Sequence, residues 1–313
     1  MEHIKINIGQ LTGYIIYDGY KYMEDLQPIF APEEDRKEVE EGLKLAGGLG
    51  RSVKLDLNVL YLEKGDRKIL LDAGAGDYFG PSAGRLLQNL KAVGVSPDQI
   101  TDIVITHIHK DHTGGIFNQA GKLNFPEASF YVGKEELEFW QQPEPDFSKS
   151  KRKTGSEVSI SNAKNFTKEI SGRLNTYEDG DRLFGCLEVI LAPGHTPGHC
   201  VFRIFDGRKS LIHTVDAFHI PALVSFAAWG TQFDTDFELG KQTRARLIAE
   251  GAAERTIYLS CHLPFPGAGR VILDGRLYKW EPLVVEKQVP NNGKVATDIS
   301  KKGTPDKIDV LYV

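Results

Sequence analysis

Between Thr106 and Gly115 the chain reads Thr106-His107-Ile108-His109-Lys110-Asp111-His112-Thr113-Gly114-Gly115, with three imidazoles and a carboxylate crowded together. The segment leaves an apolar run, Ile103-Val104-Ile105, that reads as a buried strand. Imidazole and carboxylate are borderline-to-hard donors suited to Zn²⁺ and its neighbours. In an extended segment His107 and His109 face the same side and can grip one ion. Asp111 and His112 are adjacent, so in a tight turn they splay toward a second ion, and Gly114 and Gly115 let the backbone turn sharply beneath them. One site cannot use so many ligands, so further donors are expected downstream. Three stand where apolar strands run out, the place where α/β sheets build sites. These are His195 in Ala192-Pro193-Gly194-His195-Thr196-Pro197-Gly198, Asp216 at the end of Leu211–Val215, and His262 after Thr256–Cys261. His3, His199 and His213 read as hydrogen-bonded spectators.

Positioning these donors requires strands whose ends meet. Val53, Leu55, Leu57, Val59 and Tyr61 alternate with polar partners, and a Gly65-Asp66 turn leads to Lys68–Asp72, a hairpin signal. A helix is expected over Arg85–Ala92, a strand over Ser129–Val132 and a helix over Lys134–Trp140. Further strands are expected over Leu187–Leu191, Val201–Phe205 and Ser210–Thr214. A helix from Asp236 to Ala249, a strand over Thr256–Leu259 and a hairpin at Asp274-Gly275 complete the pattern. This order predicts an α/β (α+β) chain with two mixed sheets packed face to face and helices outside. Residues 1–52 read as an N-terminal arm with one helix, opened by Pro32-Glu33-Glu34-Asp35 and stopped at Gly47-Gly48. Residues 53–285 read as the main domain, 141–170 within it as an insertion or lid, and 286–313 as a polar tail.

Composition narrows the function classes. With 313 residues, 41% apolar and 26% charged, the chain can bury a sizeable core. A net charge of −5 argues against a nucleic-acid polyanion as the main partner. Cys186, Cys200 and Cys261 have no regular spacing and leave one unpaired in any disulfide scheme, as expected in a reducing compartment. With no signal peptide and no apolar run long enough for a membrane span, a cytoplasmic location is expected, without membrane association.

The run Thr106 to Gly115, followed in order by His195, Asp216 and His262, resembles the metallo-β-lactamase superfamily, over about Val53 to Leu283. The resemblance implies a four-layer αβ/βα sandwich. It implies that His107, His109 and His195 hold one metal, that Asp111, His112 and His262 hold the other, and that Asp216 bridges both. Asp72 matches the family's early structural aspartate and is expected to support rather than ligate. Val215 stands where many relatives carry glycine. His262-Leu263-Pro264-Phe265-Pro266-Gly267 and Ala217–Ala222 resemble the branch containing N-acyl homoserine lactonases and methyl parathion hydrolase. In some of those lactonases a tyrosine three residues after the bridging aspartate polarises the substrate carbonyl; here the position is His219, a substitute donor or a wall residue. A homodimer is implied by the resemblance alone.

The chemistry expected follows from charge. Two Zn²⁺ per chain, with Fe, Mn or Co as alternatives, bring about four positive charges, and Asp111, Asp216 and a bridging hydroxide cancel three. Metal binding lowers the pKa of water from near 15.7 to about 7, so hydroxide is available at neutral pH. Such a site suits a small-molecule lactone or ester. The expected reaction is opening of N-acyl homoserine lactones, the quorum-quenching reaction; the alternative is hydrolysis of organophosphates or aryl esters. Asp111 is the expected proton shuttle, with His219 as a second catalytic candidate. Phe218, His219, Leu223, Phe226 and Phe265 are the expected substrate wall. No Gly-x-Ser-x-Gly nucleophile is present.

Overall fold

A computed structural model describes residues 2–283 together with the backbone of residues 309–311. The first sheet begins where the sequence shows Ile4, Ile6 and Ile8 at alternate positions. His3–Ile8 (β1) pairs antiparallel with Leu11–Met23 (β2), which pairs with Val53–Lys64 (β3) and so with Arg67–Leu71 (β4). The sheet then turns parallel through Asp102–Ile105 (β5), Ser129–Gly133 (β6) and Leu174–Tyr177 (β7). Asp309–Leu311 (β15) adds an edge strand against β1.

The second sheet runs through Arg182–Leu183 (β8), Leu187–Leu191 (β9), Cys200–Asp206 (β10), Lys209–Val215 (β11), Tyr258–Ser260 (β12), Ala268–Asp274 (β13) and Leu277–Pro282 (β14). Its pairs are antiparallel except β11 with β12. Ile6, Leu62 and Leu71 from one sheet share a core with Val189, Phe202 and Leu259 from the other, so the sheets pack face to face.

Helices close both outer faces. Leu86–Ala92 (α2), Lys134–Gln141 (α4) and Ser156–Ile170 (α5) bury Leu90, Trp140 and Phe166 against the first sheet. Phe237–Glu254 (α7) buries Leu247 and Ile248 against the second, its N-terminus capped by the Asp236 carboxylate, which accepts from Leu239 N. Arg36–Leu45 (α1) packs with Pro221–Ser225 (α6) through Val39, Leu43 and Leu223. Four layers result, as expected.

Two boundaries differ from expectation. Residues 1–52, expected as an arm with one helix, carry β1 and β2, which lie within the first sheet and fill its core. The alternation Ile4-Ile6-Ile8 continues across the Gly9-Gln10 turn into Leu11 and Ile15, a period-2 pattern of buried strand residues ahead of the helix expected from Pro32. That helix starts at Arg36, after an extended Asp35. The segment 141–170 carries α5, packed beside α4. The tail expected over 286–313 lies outside the described residues except for β15.

Candidate metal centre

Strand ends deliver the donors. Beyond β5 the chain passes through His107 and His109 into a single helical turn, Lys110–Thr113 (α3), carrying Asp111 and His112. His195 lies between β9 and β10, Asp216 follows β11 and His262 follows β12. His107 Nε2 and His109 Nδ1 are 3.1 Å apart, and His109 Nδ1 is 2.9 Å from His195 Nε2. His112 Nε2 lies 3.2 Å from Asp216 Oδ1, and His262 Nε2 lies 3.1 Å from Asp216 Oδ2. Both also face Asp111 Oδ2, at 3.9 and 3.7 Å. Asp216 Oδ2 reaches the first group too, at 3.3 Å from His195 Nε2 and 3.8 Å from His107 Nε2. The donor atoms of His107, His109 and His195 lie within 4.8 Å of one another, as do those of Asp111, His112 and His262.

Hydrogen bonding alone does not account for this convergence. The outer nitrogens are engaged elsewhere. His262 Nδ1 donates to the Asp56 carbonyl at 3.0 Å, and His112 Nδ1 meets Asp72 Oδ2 at 2.8 Å. Each such contact aims Nε2 inward at Asp216, the arrangement by which outer partners orient metal-binding imidazoles, and the surrounding carboxylates raise the proton affinity of both rings, so a cation bound there would take the place of a proton. Burial pushes His107 and His195 well below the usual imidazole range and His109 to about 3, so these rings stay neutral at pH 7. Inward lone pairs repel unless a cation lies between them. His112 Nε2 and Asp216 Oδ1, both buried, satisfy no hydrogen bond. The donor set therefore fits divalent cations.

A supporting frame fixes the loops. Asp72 accepts from Thr106 N and Thr106 Oγ1, at 2.9 and 2.8 Å, besides holding His112. Gly114 and Gly115 carry α3 directly over the Ala73–Ala75 backbone, where a Cβ would collide with carbonyl oxygens; close approach, rather than a sharp turn, is what demands glycine here. Val215 adopts φ 49°, the left-handed region that glycine takes freely, so the turn before Asp216 is kept despite the branched side chain. His199 and His213 hydrogen-bond as expected, but both act on this turn. His199 Nε2 accepts from Asp216 N at 3.2 Å, and His213 Nδ1 accepts from Val215 N at 3.2 Å.

Sequence inspection missed Glu136 and Asp234. The fully buried Glu136 carboxylate on α4 accepts from Ile108 N at 2.8 Å, Trp140 Nε1 at 2.6 Å, Gly198 N at 3.2 Å and Thr196 Oγ1. It thereby ties the His107–His109 loop to the His195 loop. Asp234 Oδ1 stands 3.1 Å from His195 Nδ1, and its Oδ2 accepts from Arg244. Neither carries a local signal, because a lone acid on an amphipathic helix or in a loop is usually solvated.

Above the donors lies a cavity of about 430 Å³. Met23, Ile29, Leu55, Phe79 and Phe233 supply its apolar wall, while Arg152, Ser159 and Asn162 come from the 141–170 segment. His219 lines it, stacked on His262 at 5.4 Å and flanked by Phe30 and Phe233. The other four expected wall residues do not line this cavity. Phe218 packs on Tyr258 and Trp280, Leu223 joins the α1 cluster, Phe226 stacks on Trp229, and Phe265 meets Tyr17 edge-on. Once past Asp216, the apolar side chains gain more by filling the layer under α1 and α7 than by facing a wet cleft.

Comparison with known proteins agrees with this architecture. Among solved structures, this chain is similar to AidC, a dizinc quorum-quenching lactonase, at 31% identity and TM-score 0.83, covering 90% of this chain and 97% of that one. The hydrolase AbOPH of the beta lactamase superfamily aligns at 29% identity and TM-score 0.80, covering 91% and 99%. Among curated proteins, the N-acyl homoserine lactonase AttM of Agrobacterium fabrum is 31% identical over 143 residues, 42% of this chain and 46% of that protein. The match thus spans less than half the length of that relative. The family model for the metallo-beta-lactamase superfamily matches residues 55–262, the stretch that carries every donor described above, and the chain belongs to that superfamily.

Proposed function

We propose that this chain is a metal-dependent hydrolase that opens the lactone ring of N-acyl homoserine lactones. The observation that carries the reading is a seven-donor centre, five of its donors buried, with Asp216 between two ligand groups, at the floor of a cavity with an apolar wall. The similarity to AidC and AttM, both named as lactonases, supports it.

In this reading His107, His109 and His195 hold one divalent cation, Asp111, His112 and His262 hold a second, and Asp216 joins both. Zinc is the first candidate, by donor chemistry. Two such cations, when bound, supply hydroxide at neutral pH and polarise a carbonyl oxygen.

The chain's own residues do the rest. Asp111 has the most exposed carboxylate of the centre, with 19% of its side chain open against 4% for Asp216. With Oδ2 turned toward His112 and His262, its other carboxylate oxygen is left to take the proton of the attacking water and return it to the departing alkoxide. Burial pushes His219 down to about 4, so its ring is neutral at pH 7 and offers one N–H to the substrate carbonyl. The apolar wall receives the acyl chain and excludes water.

A panel of N-acyl homoserine lactones of graded chain length, followed by proton release, tests the reading. Ring opening is expected. Hydrolysis of aryl phosphotriesters with no action on lactones would replace it by the organophosphate alternative.

A further inference from the structure

The loop before α5 sends a cation into the cavity. Arg152 lines it together with Tyr78 and Asp111, and its Nη1 donates to Ser159 Oγ at 2.8 Å. Among the described residues no carboxylate comes within ion-pair distance of it. A guanidinium offers five N–H donors in a planar fork, so most of them are free for a ligand.

Asp111 does not answer this charge, because its Oδ2 is turned toward His112 and His262. Arg152 nevertheless lies close enough to feel the charge of Asp111 and to act on His109, and burial lowers its affinity for the proton without making it neutral. A partly desolvated cation needs an anionic or strongly polar partner. Loading the centre with divalent cations makes the need greater, since two carboxylates do not cancel the charge of two such ions and the guanidinium is repelled. An oxygen-bearing ligand lying between Arg152 and the centre satisfies the guanidinium donors and lessens both costs.

We infer that Arg152 is a specificity-determining residue that donates to the amide carbonyl oxygen of an N-acylated lactone, with Ser159 holding its fork in place. This rests on the lactonase reading and deepens it. When the ring carbonyl lies over Asp111 and His219, the amide carbonyl is the next oxygen along the molecule, and beyond it lies alkyl chain suited to the apolar wall. γ-Lactones without an acylamino group, aryl esters and phosphotriesters have no such oxygen.

The test compares wild type with Arg152→Met, Arg152→Lys and Ser159→Ala, all metal-loaded and checked for cooperative thermal unfolding. One readout is the ratio of kcat/KM for N-decanoyl homoserine lactone to that for γ-decanolactone. Loss of a charge-assisted hydrogen bond is expected to lower this ratio about 10- to 100-fold in Arg152→Met, and less in Arg152→Lys and Ser159→Ala. A ratio unchanged within threefold overturns the assignment. The second readout is calorimetric binding of ring-opened N-decanoyl homoserine, which needs no turnover. Weaker binding in Arg152→Met supports the assignment, and equal binding overturns it. Should wild type open neither lactone, the lactonase reading fails while the binding comparison still decides the role of Arg152.

Discussion

Glu136→Gln is the sharpest perturbation of the frame around the centre. The carboxylate is fully buried and receives four donors, two on each oxygen, from α4 itself and from both donor-bearing loops. Glutamine keeps one acceptor oxygen and turns an amide N–H₂ toward two donors. Thr196 can rotate its hydroxyl to accept, but the backbone N–H of Gly198 or Ile108 cannot. One buried N–H is left unpaired, at about 1–3 kcal/mol, and charge assistance is lost from the rest. Relief of carboxylate burial, which pushes Glu136 above its ordinary range, offsets part of this. The expected net loss is about 2–4 kcal/mol in urea unfolding. Because the two loops carry His107, His109 and His195, metal affinity is expected to fall about 10- to 100-fold, measured by competition with a chelating dye. Glu138→Gln, on the exposed side of the same helix, serves as the control and should change stability by under about 0.5 kcal/mol. Wild-type affinity and stability in Glu136→Gln would refute the idea that this carboxylate ties the loops together.

Four further outcomes are expected. Burial raises Asp18 from 3.8 to about 6 in the folded chain, so its contribution is full below pH 3.8 and is lost as pH rises through 6. Wild type should therefore lose about 2 kcal/mol relative to Asp18→Asn between pH 4 and 7, read from paired urea titrations; a constant difference would contradict this. Ile6→Ala should cost about 2–5 kcal/mol, because β1 is core and not an arm; a change within about 0.5 kcal/mol, as at a surface site, would restore the arm. Chelation followed by dialysis should lower Tm by roughly 5–10 °C, recovered on adding zinc, and an unmoved Tm would count against a bound metal. His219→Ala should lower kcat for lactones about 100-fold with metal content retained; unchanged kcat would make His219 a wall residue.

The donors were legible in the sequence because each is marked locally. A cluster of imidazoles after an apolar strand, and single donors where later strands run out, announce themselves by residue type and spacing. The alternation in β3 and the hairpins at Gly65-Asp66 and Asp274-Gly275 were equally plain, since strand and turn preferences act over a few residues. What no local pattern contains is a contact between distant segments. Glu136 is one acid among several on α4 until Ile108 and Gly198 fold onto it from opposite sides. Phe218 and Phe226 look like a substrate wall until the layers beneath α1 and α7 absorb them, and Arg152 looks solvated until the loop before α5 carries it into the cavity. Residue type decides what chemistry a side chain can do. Only tertiary packing decides which side chains lose water together and which face the cavity, because burial and long-range hydrogen bonds are properties of the assembled layers.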